Sequence, residues 1–444
     1  MPTPRRVVIS GTGWITPLGH SIDTVWSRLL KGDSGVASIE QFDASTFATN
    51  FAAEVRGFKL ENFLRDPTPH VQSGPSTQFA LAAAQQAWTQ SGLGADSKLR
   101  RNRVGLYLGA GDGSVDHESF FAVNLAGWNA ETKKLDSAGW LKAATQRLHL
   151  TPEIEQEPNL TLAHLATEFG CRGPAINCMT ACAASTQAIG EAYEIIRRGD
   201  AEVMLAGGAH TMIHPLGLTG FIRLTAMSQR TDSINSAARP FDQTRDGFVM
   251  GEGAGMLVLE ELDHAKARGA TPLAEVVGFG STADAFRITD IQPQGKGAQA
   301  TMHQALRQAG LSPREIGDDG RPAVHYISAH GTGTKENDKI ETLAVKGVFG
   351  PLAGKIPFSS VKSMFGHLIQ AAGAVELITC VMAIKTGWVP PTMNLVNADP
   401  DCDLDYVPNQ ARDLNPMGGV QTCLSNSFGF GGQNDTLIVR KYNT

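Results

Sequence analysis

The sequence has 444 residues, a formal net charge of −6 and 42 % hydrophobic residues. Length alone suggests about three domains of roughly 150 residues each. The 48 glycines are typical of an α/β enzyme and not of a disordered or fibrous chain. The mild negative charge argues against a nucleic-acid binder, which usually carries a strong basic excess.

Cysteine spacing and hydropathy indicate the compartment. The six cysteines, at positions 171, 178, 182, 380, 402 and 423, show neither CxxC pairing nor zinc spacing. A chain of this length builds a large core without disulfides, so we expect a reducing compartment. Glycines break the N-terminal apolar run within a few residues, unlike a signal peptide. No run approaches about 18 apolar residues, so we predict a cytoplasmic protein without membrane insertion.

The first half of the chain alternates short apolar runs that end at glycine with helical patterns. Residues 111–160 are its least regular part. The predicted elements are strands at 7–11, 104–109, 203–208 and 256–260, and helices at 77–93 and 160–169.

Residues 175–200 contain the first candidate for chemistry. The apolar run 175–178 predicts a buried strand, small residues surround Cys182, and the apolar spacing between 189 and 196 predicts a helix. Cys182 would therefore lie where a strand leads into a helix. The positive field of a helix N-terminus favours a thiolate and lowers a cysteine pKa from about 8.5, which suits a nucleophile. The alternative is a structural cysteine that packs as a small hydrophobe.

The second half repeats the alternation. Its predicted elements are strands at 276–280, 324–329, 357–361 and 436–440, and helices at 298–309, 338–349 and 368–386. The opening strands of the two halves are similar, and each half ends in a glycine cluster followed by a strand. We therefore predict one α/β unit used twice, as domains 1–268 and 269–444.

Three further polar residues, His330, Lys362 and His367, follow predicted strands. Functional groups in open α/β sheets collect at the carboxyl ends of strands. A cysteine with two histidines predicts covalent acyl transfer. A zinc site needs three or four ligands at metal spacing, which the sequence does not show. A cysteine protease would leave the second histidine and the lysine unused.

At these residues the chain resembles the β-ketoacyl-acyl-carrier-protein synthases of the thiolase superfamily, and it is most similar to type II of bacterial fatty-acid synthesis. The resemblance implies a thiolase-like α/β fold, with two duplicated halves in five αβαβα layers, and a homodimer. It covers nearly the whole chain, through the stretches TACAAS around Cys182, GDAEVMLAGG at 199–208, RPFDQTRDGFVMGEGAG at 239–255, AHGTGTKENDKIE at 329–341, SSVKSMFGHLIQAAGAVE at 359–376 and NSFGFGGQN at 426–434.

The resemblance also implies roles for individual residues. Cys182 would take the acyl chain as a thioester, and His330 and His367 would polarise the malonyl thioester carbonyl during decarboxylation. Lys362 would support the second histidine, unless it forms an ordinary ion pair with Glu341. Glu341 would order the site.

Three more residues match the family pattern around the substrate. Thr332 and Thr334 would bind the pantetheine arm, unless they are turn residues only. Phe430 would gate the pocket, and its N–H with that of Cys182 would form the oxyanion hole. Two fixed donors of this kind stabilise the oxyanion of acyl transfer.

The implied reaction is decarboxylative condensation of malonyl-acyl-carrier-protein with an acyl chain on Cys182, which elongates a fatty acid by two carbons. No metal or cofactor is implied, because the phosphopantetheine of the acyl- or malonyl-loaded carrier protein brings the substrate. A ketosynthase of a polyketide, polyene or unusual-lipid pathway stays open. A thiolase, a type III synthase and a non-catalytic chain-length-factor subunit fit less well, the last because Cys182 is present.

The sequence departs from the family in two regions. Type II synthases carry a short basic docking helix where this chain reads LRDPTPHVQSGPS at 64–76, and Thr225 replaces a second docking arginine. Residues 111–158 are longer than the family norm. His117 stands near an apolar position of the acyl pocket, so we expect a changed pocket there.

Overall fold

The structure is a computed structural model, and it describes residues 4–111, 116–288, 290–317 and 319–443. The strands are β1 (Val7–Ile15), β2 (Val36–Ser38), β3 (Phe51–Ala53), β4 (Val104–Gly109), β5 (Trp128–Asn129), β6 (Lys134–Leu135), β7 (Ala175–Cys178), β8 (Val203–His210), β9 (Gly253–Glu261), β10 (Ala274–Ala283), β11 (Tyr326–Ser328), β12 (Phe358–Ser359), β13 (Trp388–Val389), β14 (Arg412–Asp413), β15 (Thr422–Gly429) and β16 (Gln433–Arg440). The helices are α1 (Ile22–Lys31), α2 (Pro75–Ser91), α3 (His117–Ala126), α4 (Ser137–Arg147), α5 (Leu150–Glu155), α6 (Leu160–Phe169), α7 (Ala184–Arg198), α8 (Pro215–Arg223), α9 (Leu262–Ala267), α10 (Lys296–Ala309), α11 (Lys335–Phe349), α12 (Lys362–Phe365) and α13 (Ala372–Thr386).

Ten strands pair in the order β12-β11-β15-β16-β10-β1-β9-β8-β4-β7. Numbered within each half, both halves have the order 1-5-4-2-3, and they meet where β1 pairs antiparallel with β10. The pairing directions also match, because β4 lies parallel to β7 and β8 as β11 lies parallel to β12 and β15. The topology agrees with the predicted duplication, and the predicted boundary after residue 268 falls in the loop between α9 and β10.

The opening strands of the two halves share a register shift at a glycine. The register of β1 shifts between Ile9 and Gly11, and that of β10 shifts between Val276 and Gly278. A Cβ on Gly11 would lie 2.0 Å from the Ala87 carbonyl oxygen of α2, and one on Gly278 would lie 2.3 Å from that of Ala305 in α10. The glycines therefore let an outer helix lie directly on each strand.

The elements form five layers, as the expected thiolase-like fold requires. Helices α2 and α6 cover one half of the sheet, α10 covers the other, and α11 packs beside α10. Helices α7 and α13 lie between the halves, where α7 packs on β4 and β8 while α13 packs on β9 and β15. In the described part of the chain, one helical stretch, Ile369–Thr386, is long and apolar enough to span a membrane, with mean hydropathy 1.4. It is 89 % buried within the fold, which is the position of a core helix.

Most predicted elements are present, with bounds that differ by a few residues, but two expectations were wrong. The run 175–178 is not a buried strand, because β7 is an edge strand and Ile176 is 41 % exposed. Residues 117–155 are not irregular, because they form α3, a β5–β6 hairpin, α4 and α5. The predictions for positions 112–115 lie outside the described residues.

Candidate active site

The chain makes a strained turn at Cys182. A 3-10 turn, Ala181–Ala183, joins β7 to α7, and Ala181 has a φ of 48°. The second half repeats this arrangement, because the 3-10 turn Ile369–Ala371 leads into α13 and Ile369 has a φ of 36°. A non-glycine residue in the left-handed region costs about 1–3 kcal/mol and tends to occur at active sites. The two central helices therefore both begin at one place, where the halves meet.

His330 follows β11 and is fixed through its backbone. The Glu341 carboxylate, on α11, accepts the N–H of His330 at 2.9 Å and that of Gly331 at 2.8 Å. The Asn426 side chain donates to the same carboxylate at 3.3 Å. Glu341 is fully buried. These contacts place Glu341 against the backbone of His330 and Gly331, and its role in ordering the site stays a prediction.

His367 is held by the segment 249–251, within the RDGFVMGEG stretch. Its N–H donates to the Val249 carbonyl at 2.7 Å, and its own carbonyl accepts the N–H of Gly251 at 2.9 Å. Its Nε2 lies 3.1 Å from the Cys182 Sγ. The rings of His330 and His367 are 5.5 Å apart, centre to centre, and nearly perpendicular. The three side chains thus face one another, although 148 residues or more separate the cysteine from either histidine.

Lys362 contacts a different carboxylate from the one considered in the sequence. Its Nζ donates to the His330 carbonyl at 2.6 Å and forms a short ion pair with Glu376 of α13. It is therefore not the ion-pair partner of Glu341, and in the described part of the chain it supports the backbone of His330 instead of contacting His367. Sequence reasoning missed Glu376. The available signal was a single carboxylate within an otherwise apolar helix face.

Burial sets the electrostatics of the site. Burial, and then the positive charge of Lys362, keep the pKa of His330 and of His367 well below 6.5, so both imidazoles are neutral. Burial raises the pKa of Glu341 and of Glu376 to about 7.

Burial also raises the pKa of the Cys182 thiol to about 12, although Lys362 and two backbone N–H groups act in the opposite direction. Burial therefore outweighs the lowering of this pKa that was expected from the helix terminus.

Two backbone donors converge on the sulfur. The N–H groups of Phe430 and of Cys182 both stabilise the thiolate form, so both lie close to Sγ. This approach needs Gly429, because a Cβ there would lie 3.2 Å from the Cys182 nitrogen and 3.3 Å from that of Ala183. The role of these two N–H groups as the oxyanion hole stays a prediction.

A cavity of about 840 Å³ connects this cluster to the surface. Thr332 and Thr334 line it, and their hydroxyl oxygens are 3.0 Å apart. Phe430 also lines it, at the inner end with Cys182 and the two histidines. Cys182 also belongs to an apolar cluster, which includes Ile213, Leu218, Phe248, Met250 and Ile369.

The structure does not bring every predicted residue to the cavity. His117, at the start of α3, stacks on His214 with 4.2 Å between ring centres, and it is not among the residues that line the cavity. Its predicted role in an acyl pocket stays a prediction. The segment 64–76 forms a 3-10 turn, Thr68–His70, instead of a basic helix. Thr225 does line the cavity mouth.

The cluster also has the composition of a metal site. One ligand atom from each of Cys182, His330 and His367 lies within 4.8 Å of the others, and all three residues are buried. Sequence spacing could not show this trio, because its members come from three separate loops.

Comparisons with known proteins agree with this geometry. The family described as "Beta-ketoacyl synthase, N-terminal domain" matches residues 4–265, and the family described as "Beta-ketoacyl synthase, C-terminal domain" matches residues 273–396. The 3-oxoacyl-[acyl-carrier-protein] synthase 2 of Coxiella burnetii is 40 % identical over 439 residues, which cover 98 % of this chain and 99 % of that protein. The enzyme of the same name from Synechocystis is 40 % identical over 438 residues, which cover 99 % of this chain and 98 % of that protein.

A solved structure extends the likeness to three dimensions. It is a type II PKS acyl-carrier protein in complex with its ketosynthase bound to the hexaketide. The matching chain has a TM-score of 0.84 and 32 % identity, and the match covers 99 % of this chain and all of the other. The chain described here is a member of the beta-ketoacyl synthase family.

Proposed function

We propose that this enzyme condenses an acyl chain held on Cys182 with a malonyl thioester, with loss of CO₂, and so lengthens the acyl chain by two carbons. The observation that carries the proposal is the convergence of the Cys182 sulfur and two neutral, buried imidazoles at the inner end of one cavity. The 3-oxoacyl-[acyl-carrier-protein] synthases that match the whole chain support it.

In the first half-reaction, the Cys182 sulfur attacks the carbonyl carbon of an acyl thioester. The new C–S bond forms as the bond to the carrier's sulfur breaks, and the thiol proton leaves with the carrier's thiol. The carbonyl oxygen becomes negative in the transition state, and the N–H groups of Cys182 and Phe430 would receive it. His367 is the nearest side chain to Sγ, and its Nε2–H would stabilise the negative charge that develops on the sulfur as the thiol proton leaves.

In the second half-reaction, the malonyl thioester loses CO₂ and becomes an enolate. Two neutral imidazoles that donate from Nε2 would hold the enolate oxygen without placing a strong acid beside a carbanion. The Nδ1 atoms of both histidines are buried without a hydrogen-bond partner among the described residues. This favours the tautomer with its proton on Nε2, because an unpaired lone pair costs less than an unpaired N–H. The carbanion then attacks the carbonyl carbon of the Cys182 thioester, the C–S bond breaks, and the released thiolate takes up a proton from solvent.

The surroundings of Cys182 suggest how the substrate is placed. The cavity of about 840 Å³ leads to Cys182, and Thr332 and Thr334 offer hydroxyl groups along it. The apolar cluster around Cys182 would receive a hydrocarbon chain. We therefore propose a thioester on a phosphopantetheine arm of an acyl carrier protein as the substrate, with no further cofactor.

The pathway is the finer part of the proposal. The names of the matching relatives favour fatty-acid elongation, and the structural likeness to a polyketide ketosynthase keeps a dedicated pathway as the second candidate. A non-catalytic partner subunit is disfavoured because Cys182 and both histidines are present and assembled.

We also propose a homodimer in the cytoplasm. Strand β7 ends the ten-stranded sheet, and Ile176 and Met179 beside this edge are 41 % and 58 % exposed. An exposed sheet edge with apolar side chains invites pairing with a second copy. Sedimentation should therefore give a dimer mass, and Ile176→Lys should shift it towards the monomer; a monomeric wild-type protein would refute the dimer.

The function is tested by mass spectrometry of the intact protein. Incubation with acyl carrier thioesters of increasing length should add one acyl mass to the wild type and none to Cys182→Ala. Malonyl carrier should then remove the added mass and yield a β-ketoacyl carrier two carbons longer. Acylation of the alanine variant, or release of the acyl group by hydrolysis alone, would overturn the proposal.

A further inference from the structure

The cluster of Cys182, His330 and His367 has a second property that acyl transfer does not use: its side chains are suited to bind a soft divalent cation. Thiolate and imidazole are the ligands that zinc prefers, and catalytic zinc sites typically use three protein ligands and leave the fourth position to water. Cys182, His330 and His367 supply one sulfur and two nitrogens, with residue exposures of 3 %, 2 % and 1 %.

The distances are close to what zinc requires. Tetrahedral zinc, with Zn–S near 2.3 Å and Zn–N near 2.0–2.1 Å, places its ligand atoms roughly 3.3–3.6 Å apart. Here the sulfur and the His367 Nε2 are 3.1 Å apart, and all three ligand atoms lie within 4.8 Å of one another. Side-chain shifts of about 1 Å would therefore complete the geometry.

We propose that Zn²⁺ binds Cys182, His330 and His367 as a reversible inhibitor that excludes the acyl chain. Binding forms one Zn–S bond and two Zn–N bonds. The S–H bond breaks and its proton goes to solvent, while the Nε2 proton of each histidine moves to Nδ1 of the same ring, so no oxidant or reductant is involved. A thioester sulfur carries no negative charge, so the acylated enzyme lacks the thiolate ligand. Zinc and the acyl group therefore compete for one sulfur.

A cation can reach the site through the cavity, and the charges around the site are balanced. The cavity that leads to it is lined by three carboxylates, from Asp246, Asp290 and Glu336, and by two basic side chains. The positive charge nearest to the site, on Lys362, is paired with the Glu376 carboxylate. A cation thus meets no uncompensated positive charge among the described groups of the site.

The surroundings also indicate that zinc is an inhibitor and not a resident ion. Histidines at resident metal sites donate their other ring nitrogen to a second-shell partner, whose loss typically weakens metal affinity 10–100-fold. In the described structure, the Nδ1 atoms of His330 and His367 have no such partner. The ion should therefore bind measurably and also be removed by a chelator.

Calorimetry with zinc sulfate tests the inference directly. The wild type should bind one Zn²⁺ per chain at this site and release one proton, measured by repeating the titration in buffers of different ionisation enthalpy. Cys182→Ala should bind zinc at least ~100-fold more weakly, because a direct ligand matters at least as much as a second-shell partner. His303→Ala, which removes an exposed histidine of α10, should bind like the wild type.

A second measurement removes the dependence on a folded variant. Wild-type enzyme acylated on Cys182 should fail to bind Zn²⁺, and Co²⁺ should give a sulfur-to-metal charge-transfer band with free enzyme only. Equal zinc binding by the free and acylated enzymes, or by Cys182→Ala, would overturn the inference. The acylation step rests on the proposed function, but the two fail separately: an enzyme that acylates without binding zinc refutes only this inference, and one that binds zinc at Cys182 without acylating refutes only the function.

Discussion

Replacement of Glu341 by glutamine should separate the two half-reactions. The carboxylate accepts the backbone N–H groups of His330 and Gly331 at 2.9 and 2.8 Å. Glutamine keeps one oxygen, so one of these N–H groups would face an amide NH₂. A hydrogen bond to a charged group contributes about 1.5–3 kcal/mol, and a buried unpaired donor costs about 1–3 kcal/mol.

We therefore expect Glu341→Gln to lower the free energy of unfolding by about 2–4 kcal/mol. Unfolding entropy near 2.1 cal/mol/K per residue gives about 0.9 kcal/mol/K for a chain of 444 residues, so Tm should fall by about 2–4 °C. The larger effect should be on chemistry, because a displacement of about 1 Å in a catalytic group can cost about 100-fold in rate.

Single-turnover assays can measure the two steps apart. Acylation of Cys182 does not use His330 in this account, so its rate should stay within about threefold of the wild type, whereas CO₂ release from malonyl carrier should fall by about 100-fold. Glu131→Gln, an exposed position on the β5–β6 hairpin, is the matched control and should change neither rate. An equal loss in both steps, or no loss in CO₂ release, would refute Glu341 as a positioning residue for His330.

Three predictions concern stability. Burial raises the pKa of Asp435 from 3.8 to about 7, so the folded state binds its proton more tightly than the unfolded state and loses stability as pH rises from about 4 through about 7. Asp435→Asn should therefore raise the free energy of unfolding by up to about 4 kcal/mol at pH 8 and by less at pH 5, and an equal change at both would contradict this. Glu376→Gln leaves Lys362 buried without its counter-charge and should lower the free energy of unfolding by about 3–5 kcal/mol, measured by thermal denaturation. The double variant with Lys362→Met should recover part of this loss. A double variant less stable than Glu376→Gln alone would refute the ion pair's role. His70→Phe breaks the 2.8 Å hydrogen bond to His164 and should lower the free energy of unfolding by about 1–3 kcal/mol. It should also increase tryptic cleavage in the 64–76 segment. An unchanged Tm and digestion pattern would show that this hydrogen bond does not hold the segment.

The sequence was informative where local pattern and chemistry coincide. Cys182, His330 and His367 each follow a predicted strand, and the carboxyl ends of neighbouring parallel strands share one edge of a sheet. The expected fold, enzyme class and family are confirmed. The pairing register of β1 shifts at Gly11 and that of β10 shifts at Gly278, and this shared feature explains why the two opening strands resemble each other.

Other features depend on tertiary packing, which a linear pattern does not carry. Glu376 is a single acid on a helix, and only the fold shows that it meets Lys362. The run at β7 has the composition of a buried strand but lies at the sheet edge. The terminus of α7 was visible in the sequence, whereas the burial that raises the pKa of Cys182 was not.

In the proposed mechanism, one cluster serves two steps: Cys182 accepts the acyl group, and the two histidines bind the enolate oxygen. Both steps are separated by measuring CO₂ release from malonyl carrier with Cys182→Ala and with His330→Ala. We expect the cysteine variant to release CO₂ without forming a condensed product, and the histidine variant to accept the acyl group but release CO₂ at least ~100-fold more slowly. Undiminished CO₂ release by His330→Ala, or its complete loss in Cys182→Ala, would refute this mechanism.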